Sequence, residues 1–144
     1  MIEDRKAYTG GCSCGAIRYE VTGEPAVMND CQCRQCQRDS GTGHNSYLTF
    51  VGNPAKVSGE PSEWEAVGEG GTRKRRAFCP SCGNSAYLIF PDMPEVFVAI
   101  AASLDEPERY QPQIVMWTSA GQTWDHHDPA LPKFGKMPPQ PDAA

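Results

Sequence analysis

Short stretches of alternating apolar and polar residues, separated by Gly, Pro and Asn, run through most of this chain. The clearest example is residues 16–22, where Ile17, Tyr19 and Val21 alternate with charged or hydroxyl side chains. A two-residue period is typical of a strand with one buried face. The pattern therefore predicts a strand over residues 16–22 and a mainly β fold.

Further strands are predicted wherever β-branched or aromatic residues are bounded by turn-forming residues. They span residues 46–51, 55–58, 63–67, 75–78, 86–90 and 95–101. One short helix is predicted within residues 33–41, and residues 105–112 form a predicted loop before the apolar segment 114–117. Few helices are expected overall, because 14 Gly and 13 Pro favour turns.

Length and composition are typical of a folded protein with one core, since the chain has 144 residues, 39% of them hydrophobic and 22% charged. We expect a single domain over residues 1–135 and a disordered, Pro-rich tail over residues 136–144. The apolar run over residues 96–102 is too short to cross a bilayer, and residues 1–6 lack the apolar stretch of a secretory signal. We therefore expect a cytoplasmic protein without a membrane span.

The net charge of −5 argues against wholesale binding of a nucleic-acid backbone. The one dense positive stretch, Arg73–Arg76, leaves three interpretations open. It could be a solvated strand face, a compensation for nearby thiolate charge, or a site for an anionic carboxylate.

Seven cysteines carry the most specific signal in the sequence. They are Cys12, Cys14, Cys31, Cys33, Cys36, Cys79 and Cys82. An odd number is a poor disulfide framework, and each cysteine lies within three positions of another. The C-x-x-C at residues 79–82 has the spacing of a zinc knuckle, and each C-x-C can aim two sulfurs to one side of a strand. The spacing therefore predicts metal ligation.

Seven ligands divide unequally between two tetrahedral sites. The three cysteines that cluster within six residues are Cys31, Cys33 and Cys36. By subtraction, a closed structural zinc site would be formed by Cys12, Cys14, Cys79 and Cys82. Structural zinc is usually fully ligated, whereas catalytic zinc keeps a position for water or substrate. The division therefore predicts one structural zinc, which staples the fold, and one catalytic zinc with an open position.

Other interpretations of the triplet stay open at this point. A second structural zinc could be completed by His44, His126 or His127, which would make the protein a zinc-stabilised binding module without catalysis. Alternatively, the triplet could hold no metal and form a reversible disulfide between Cys33 and Cys36. The protein would then be a thiol redox sensor.

Three segments resemble the glutathione-dependent formaldehyde-activating enzyme family, to which animal centromere protein V is related. They are residues 11–20, 31–36 and 78–83, and all seven cysteines fit the family pattern. The resemblance extends over nearly the whole predicted domain. It implies a β-tent of several small antiparallel sheets, with the structural zinc on the first C-x-C and the C-x-x-C and the catalytic zinc on the triplet.

The activity that the resemblance implies is that of a carbon–sulfur lyase: glutathione adds to formaldehyde and gives S-hydroxymethylglutathione, or the reverse. A small thiol is then the partner, and a homodimer is left open. The ligand set suits this chemistry, because zinc lowers the pKa of a thiol that coordinates it. The chain departs from the family at Gln32, where many members carry His, and at Thr123, where members often have Pro before Trp124.

Overall fold

The computed structural model describes residues 6–139 and is mainly β, with 38% strand and 12% helical residues, which confirms the predicted fold class. Its strands are β1 (Tyr8–Gly11), β2 (Arg18–Val21), β3 (Val27–Cys31), β4 (Asn45–Val51), β5 (Ala55–Ser58), β6 (Ser62–Val67), β7 (Arg73–Phe78), β8 (Ser85–Ile89), β9 (Val96–Ile100) and β10 (Ile114–Met116). The helical elements are helix α1 (Arg34–Ser40) and three 3-10 turns, Ala101–Ser103, Pro107–Arg109 and Thr118–Ala120.

The described residues divide into two units along the chain. The first unit comprises the segment ending at Val27 together with Leu48–Tyr110, and the second comprises Met28–Tyr47 together with the segment from Gln111 onward. A single domain over residues 1–135 stays a prediction. Of the predicted disordered tail, positions 140–144 lie outside the described residues.

Antiparallel strands build the first unit. One sheet has the order β1-β2-β5, with Tyr8 opposite Val21 and Arg18 opposite Ser58. Strands β6 to β9 follow one another as an antiparallel meander. Tyr19 and Val21 are buried while Glu20 between them is exposed, as the two-residue period of β2 predicts.

Large apolar side chains fill the core of the first unit. Ile17, Leu48 and Phe50 are fully buried, and each contributes about 1.5–3 kcal/mol relative to an exposed side chain. A cluster of aromatic rings adds directional packing, because Tyr87 stacks on Phe97 with ring centroids 5.0 Å apart. This core holds strands β1 and β7, which lead directly into the cysteine-bearing turns of the first unit.

The second unit contains strand β3, strand β10 and helix α1. Strands β3 and β10 pair in parallel, with Met116 opposite Cys31, so this pair differs from the antiparallel pairing expected for the sheets. Helix α1 begins after Cys33, whose sulfur accepts a hydrogen bond from the backbone N–H of Cys36, and it ends at Gly41 with a φ of 80°. Among residues 6–139, no helix combines the length and apolar character needed to cross a bilayer.

Asp105 ties the loop after β9 to the first sheet. Its carboxylate accepts hydrogen bonds from both terminal nitrogens of Arg18 and from the hydroxyl of Thr9 at 2.7 Å. Its backbone N–H also donates to the carbonyl of Thr9. The hydrogen bonds from Arg18 and then from Thr9 lower the pKa of Asp105 to about 2.

This depressed pKa predicts a pH-dependent contribution of Asp105 to stability. The contribution is fully present above the ordinary aspartate pKa of about 3.9 and is lost as the pH falls through about 2. We expect Asp105→Asn to be less stable than the wild type near neutral pH, and the difference to shrink towards about pH 2. Urea unfolding of both proteins across this range measures the difference, and a constant difference would contradict the assignment.

Candidate metal centres

Four cysteine sulfurs converge in the first unit. This four-cysteine cluster consists of Cys12, Cys14, Cys79 and Cys82, whose sulfur atoms all lie within 4.8 Å of one another. The sulfur of Cys14 lies 3.6 Å from that of Cys12 and 3.6 Å from that of Cys79. The two turns that the sequence placed far apart are thus brought together at one point.

Backbone amides of both turns point at these sulfurs. The N–H of Ile17 donates to the sulfur of Cys12 at 3.3 Å, and the N–H groups of Ser81 and Cys82 donate to the sulfur of Cys79 at 3.4 Å. The backbone hydrogen bond from Ile17 lowers the pKa of Cys12 to about 6. Amide donors favour a negatively charged sulfur, which is the state that binds a metal ion.

One sulfur of the four-cysteine cluster, that of Cys14, resists ionisation beside its neighbours. The backbone amide of Ala16 lowers the pKa of Cys14, but hydrogen bonding with Cys79 and Cys12 outweighs this and raises the pKa to about 11. Two neighbouring sulfurs at this distance therefore stabilise one negative charge by a hydrogen bond between them, and a second charge is disfavoured. A metal ion removes the conflict, and four soft donors at these separations fit a tetrahedral ion.

Three further sulfurs converge in the second unit. This three-cysteine cluster consists of Cys31 at the end of β3, Cys33 before helix α1 and Cys36 in its first turn. Its sulfurs lie within 4.8 Å of one another; Cys31 and Cys36 are buried and Cys33 is half-buried. Cys33 is therefore the member of the cluster that solvent or a substrate reaches most readily.

Helix α1 and strand β4 hold the three-cysteine cluster in place. Hydrogen bonding with Cys33 and Cys36, followed by burial, raises the pKa of Cys31. The sulfur of Cys36 lies 3.0 Å from the hydroxyl of Tyr47 on β4. As in the four-cysteine cluster, a bound cation would stabilise the thiolate form of these buried thiols. Three sulfurs could hold a metal ion while leaving one tetrahedral position to another ligand.

The histidines considered as a fourth ligand lie elsewhere in the described chain. His44 and His127 form a separate group with Asp30, and His126 is exposed. Within residues 6–139, no histidine, carboxylate or further cysteine joins the group of three sulfurs. The three-cysteine cluster is thus an incomplete tetrahedral set in this part of the chain.

A network around Asp125 was not foreseen from the sequence. The carboxylate of Asp125 lies 3.0 Å from Nδ1 of His44 and 2.9 Å from Nε2 of His127, and it accepts a hydrogen bond from Gln32 at 3.0 Å. Burial raises the pKa of Asp125, but hydrogen bonds from Gln32 and both histidines outweigh it, so the pKa is lowered overall. The sequence points to His44 and His127 as candidate zinc ligands and to Gln32 as a departure from the family pattern, but it gives no sign that Asp125 joins them.

The basic stretch is strand β7, and two of its arginines are paired with carboxylates. Arg73 lies 2.8 Å from Asp92, and Arg75 lies 3.1 Å from Glu65. Arg76 is buried, with only 3% of its surface exposed. Two of the four basic residues are therefore ion-paired and a third is buried, so the stretch is not an open basic patch.

Comparison with known proteins identifies relatives. The model of the family described as "Glutathione-dependent formaldehyde-activating enzyme" matches residues 7–120, which confirms the resemblance drawn from the cysteine spacing. A protein of Halomonas elongata named "Putative glutathione-dependent formaldehyde-activating enzyme" is 30% identical over 110 residues, which cover 69% of this chain and 70% of that protein.

A solved structure supports the fold. The crystal structure of a Rhodobacter sphaeroides protein matches with a TM-score of 0.52 and 22% sequence identity, over 67% of this chain and 87% of that one. At this identity the likeness concerns the fold alone. It agrees with the mainly β architecture described above.

We expect Asp125→Asn to lower the free energy of unfolding by about 2 to 3 kcal/mol, because a buried carboxylate that accepts several hydrogen bonds becomes an amide. Only 9% of the Asp125 side chain is exposed. Asp92→Asn is a matched control, since 64% of the Asp92 side chain is exposed and a surface ion pair contributes about 0 to 1 kcal/mol. Chemical denaturation of both variants measures the two changes, and equal losses would contradict a structural role for the network.

Proposed function

Because the chain belongs to the glutathione-dependent formaldehyde-activating enzyme family, we propose that it is a zinc-dependent carbon–sulfur lyase. The proposed reaction joins a small thiol to formaldehyde or a similar small electrophile, or runs in reverse. The thiol proposed is glutathione, after the family name. The observation that carries the proposal is the three-cysteine cluster, which leaves a tetrahedral position open in the described chain.

We assign the two clusters different roles from their ligand numbers. The four-cysteine cluster has a complete set of thiolate donors, which is typical of structural zinc, and would hold the two turns of the first unit together. The three-cysteine cluster has one donor fewer, as catalytic zinc sites do. Soft thiolate ligands favour zinc over harder divalent ions such as magnesium.

The reaction needs a thiolate and an electrophile held together. Zinc, when bound to the three cysteines, would lower the pKa of an entering thiol and so make a thiolate available at neutral pH. The thiolate sulfur forms a bond to the carbonyl carbon of formaldehyde, the electron pair of the C=O π bond moves to oxygen, and the oxygen takes up the proton that the thiol has lost. No electrons are exchanged with an oxidant or reductant.

The chain's own residues position this site. The hydrogen bond from the backbone of Cys36 to the sulfur of Cys33 sets the spacing of these two ligands at the start of helix α1. The side-chain amide of Gln37 donates to the carbonyls of Gln32 and Ala120, and thereby holds the segment around residue 120 next to the helix. Half-buried Cys33 marks the side from which a thiol can approach.

The test is the zinc content of freshly reduced wild type and of Cys36→Ser, measured by elemental analysis beside thiol-adduct formation. We expect two zinc ions in the wild type, and one in a folded Cys36→Ser variant whose activity falls at least about 100-fold. Cys79→Ser is the contrasting variant, because loss of a structural ligand should unfold the protein rather than only silence it.

Different outcomes would favour the alternatives. If Cys36→Ser unfolds as Cys79→Ser does, both metals are structural and the protein is a binding module. If the reduced wild type holds one zinc and mild peroxide links Cys33 to Cys36 reversibly, the triplet is a redox sensor. Retention of full activity by Cys36→Ser would overturn the proposed function.

A further inference from the structure

Two imidazole rings lie between two carboxylates in the second unit. One nitrogen of each ring faces Asp125, at 3.0 Å for Nδ1 of His44 and 2.9 Å for Nε2 of His127. The other nitrogen of each ring faces Oδ2 of Asp30, at 3.2 Å for Nδ1 of His127 and 3.9 Å for Nε2 of His44. The two rings touch edge to face, with centroids 4.6 Å apart.

Hydrogen-bond chemistry assigns a role to each ring nitrogen. An ionised carboxylate only accepts hydrogen bonds, so each ring donates to Asp125 from the nitrogen that faces it. The second nitrogen of each ring is then available as a metal ligand, and these two nitrogens lie 3.2 and 3.9 Å from Oδ2 of Asp30. The other oxygen of Asp30 accepts a hydrogen bond from the hydroxyl of Ser46 at 2.6 Å. The three atoms lie within 4.8 Å of one another, a separation at which one metal ion can contact all of them.

We propose that Asp30, His44 and His127 form a third metal site, which binds a divalent first-row transition-metal ion. Metal bonds of about 2.0–2.2 Å to nitrogen and oxygen place the ligands of a tetrahedral ion about 3.3 to 3.6 Å apart, and the observed distances of 3.2 and 3.9 Å lie on either side of this range. Two histidines and one carboxylate are a common ligand set for such ions. The two aspartates together carry the charge that a divalent ion neutralises.

Asp125 supplies the outer support that metal-binding histidines usually have. A ligating imidazole commonly donates its other N–H to a carboxylate, which fixes the ring orientation and makes the ligating nitrogen more basic. Here a single carboxylate does this for both rings, and Gln32 donates to the same carboxylate. The rings are therefore already oriented with their ligating nitrogens towards Asp30.

The third site is separate from the three-cysteine cluster. Asp30 and Cys31 are successive residues of strand β3, so their side chains leave opposite faces of the strand. Access to the third site is on the side of His44, whose side chain is 25% exposed, compared with 6% for His127 and 7% for Asp30. Its nitrogen and oxygen donors also differ in chemistry from the sulfur donors of both cysteine clusters.

The test is cobalt(II) uptake by protein whose cysteine clusters are loaded with zinc. Thiolates keep zinc in preference to cobalt, so added cobalt reports on other sites. Equilibrium dialysis and elemental analysis count the bound cobalt, and paramagnetic shifts of the histidine ring protons locate it by NMR. We expect one histidine-dependent cobalt per chain in the wild type, lost in His44→Gln and in His127→Gln. The matched control is His126→Gln, which changes an exposed neighbour and should keep the cobalt.

The outcomes separate this proposal from the proposed function. Cobalt uptake that disappears in His44→Gln, the variant of the more exposed ring, supports the third site even if His127→Gln does not fold. Cys36→Ser should retain the histidine-dependent cobalt whether or not the protein is a lyase, because the two ligand sets share no residue. The proposal would be overturned if the wild type bound no cobalt beyond the cysteine clusters, or if His44→Gln took up as much cobalt as the wild type.

Discussion

Close packing of ionisable sulfur atoms is the constraint on which the rest of this structure depends. The raised pKa values of Cys14 and Cys31 show that one sulfur in each cluster resists ionisation beside its neighbours. The surrounding backbone forms turns whose amides donate to other sulfurs of the same clusters, those of Cys12, Cys33 and Cys79. The local fold and the charge of the sulfurs are thus coupled, so a cation at either cluster stabilises the turns that form it.

Secondary structure could be predicted where alternation and turn residues agreed. The predicted strand 55–58 has the same bounds as β5, and the predicted helix within 33–41 contains α1. Strand β1 was missed because it ends in Gly10 and Gly11, which have low strand propensity. The structure shows why glycine is there: a Cβ on Gly10 would overlap the carbonyl of Ser103 and the ring of Tyr19. Strand β3 was missed because Asn29 and Asp30 suggest a turn, whereas both are buried.

The two kinds of site differ in how far the sequence could reveal them. Cysteines two or three positions apart share a site through local geometry, and the two distant pairs, with Cys14 and Cys79 separated by 65 positions, were grouped by subtraction once the triplet was set aside. The network joins Asp125 to His44, which lies 81 positions earlier in the chain, and to Gln32, which lies 93 positions earlier. No local sequence pattern links these residues. Histidine and aspartate are also common at protein surfaces, so their number in the sequence carries little information. Only the fold shows that they are neighbours.

The side chains of β3 alternate between its two faces, and this limits which sequence changes the strand can tolerate during evolution. Point substitutions can alter the side chains on one face of the strand and leave the other face intact. A one-residue insertion or deletion ahead of Asp30 would exchange the two faces, and would remove Asp30 and Cys31 from their places together. Length variation among descendants should therefore accumulate in the loops, while the length of this five-residue strand is inherited unchanged.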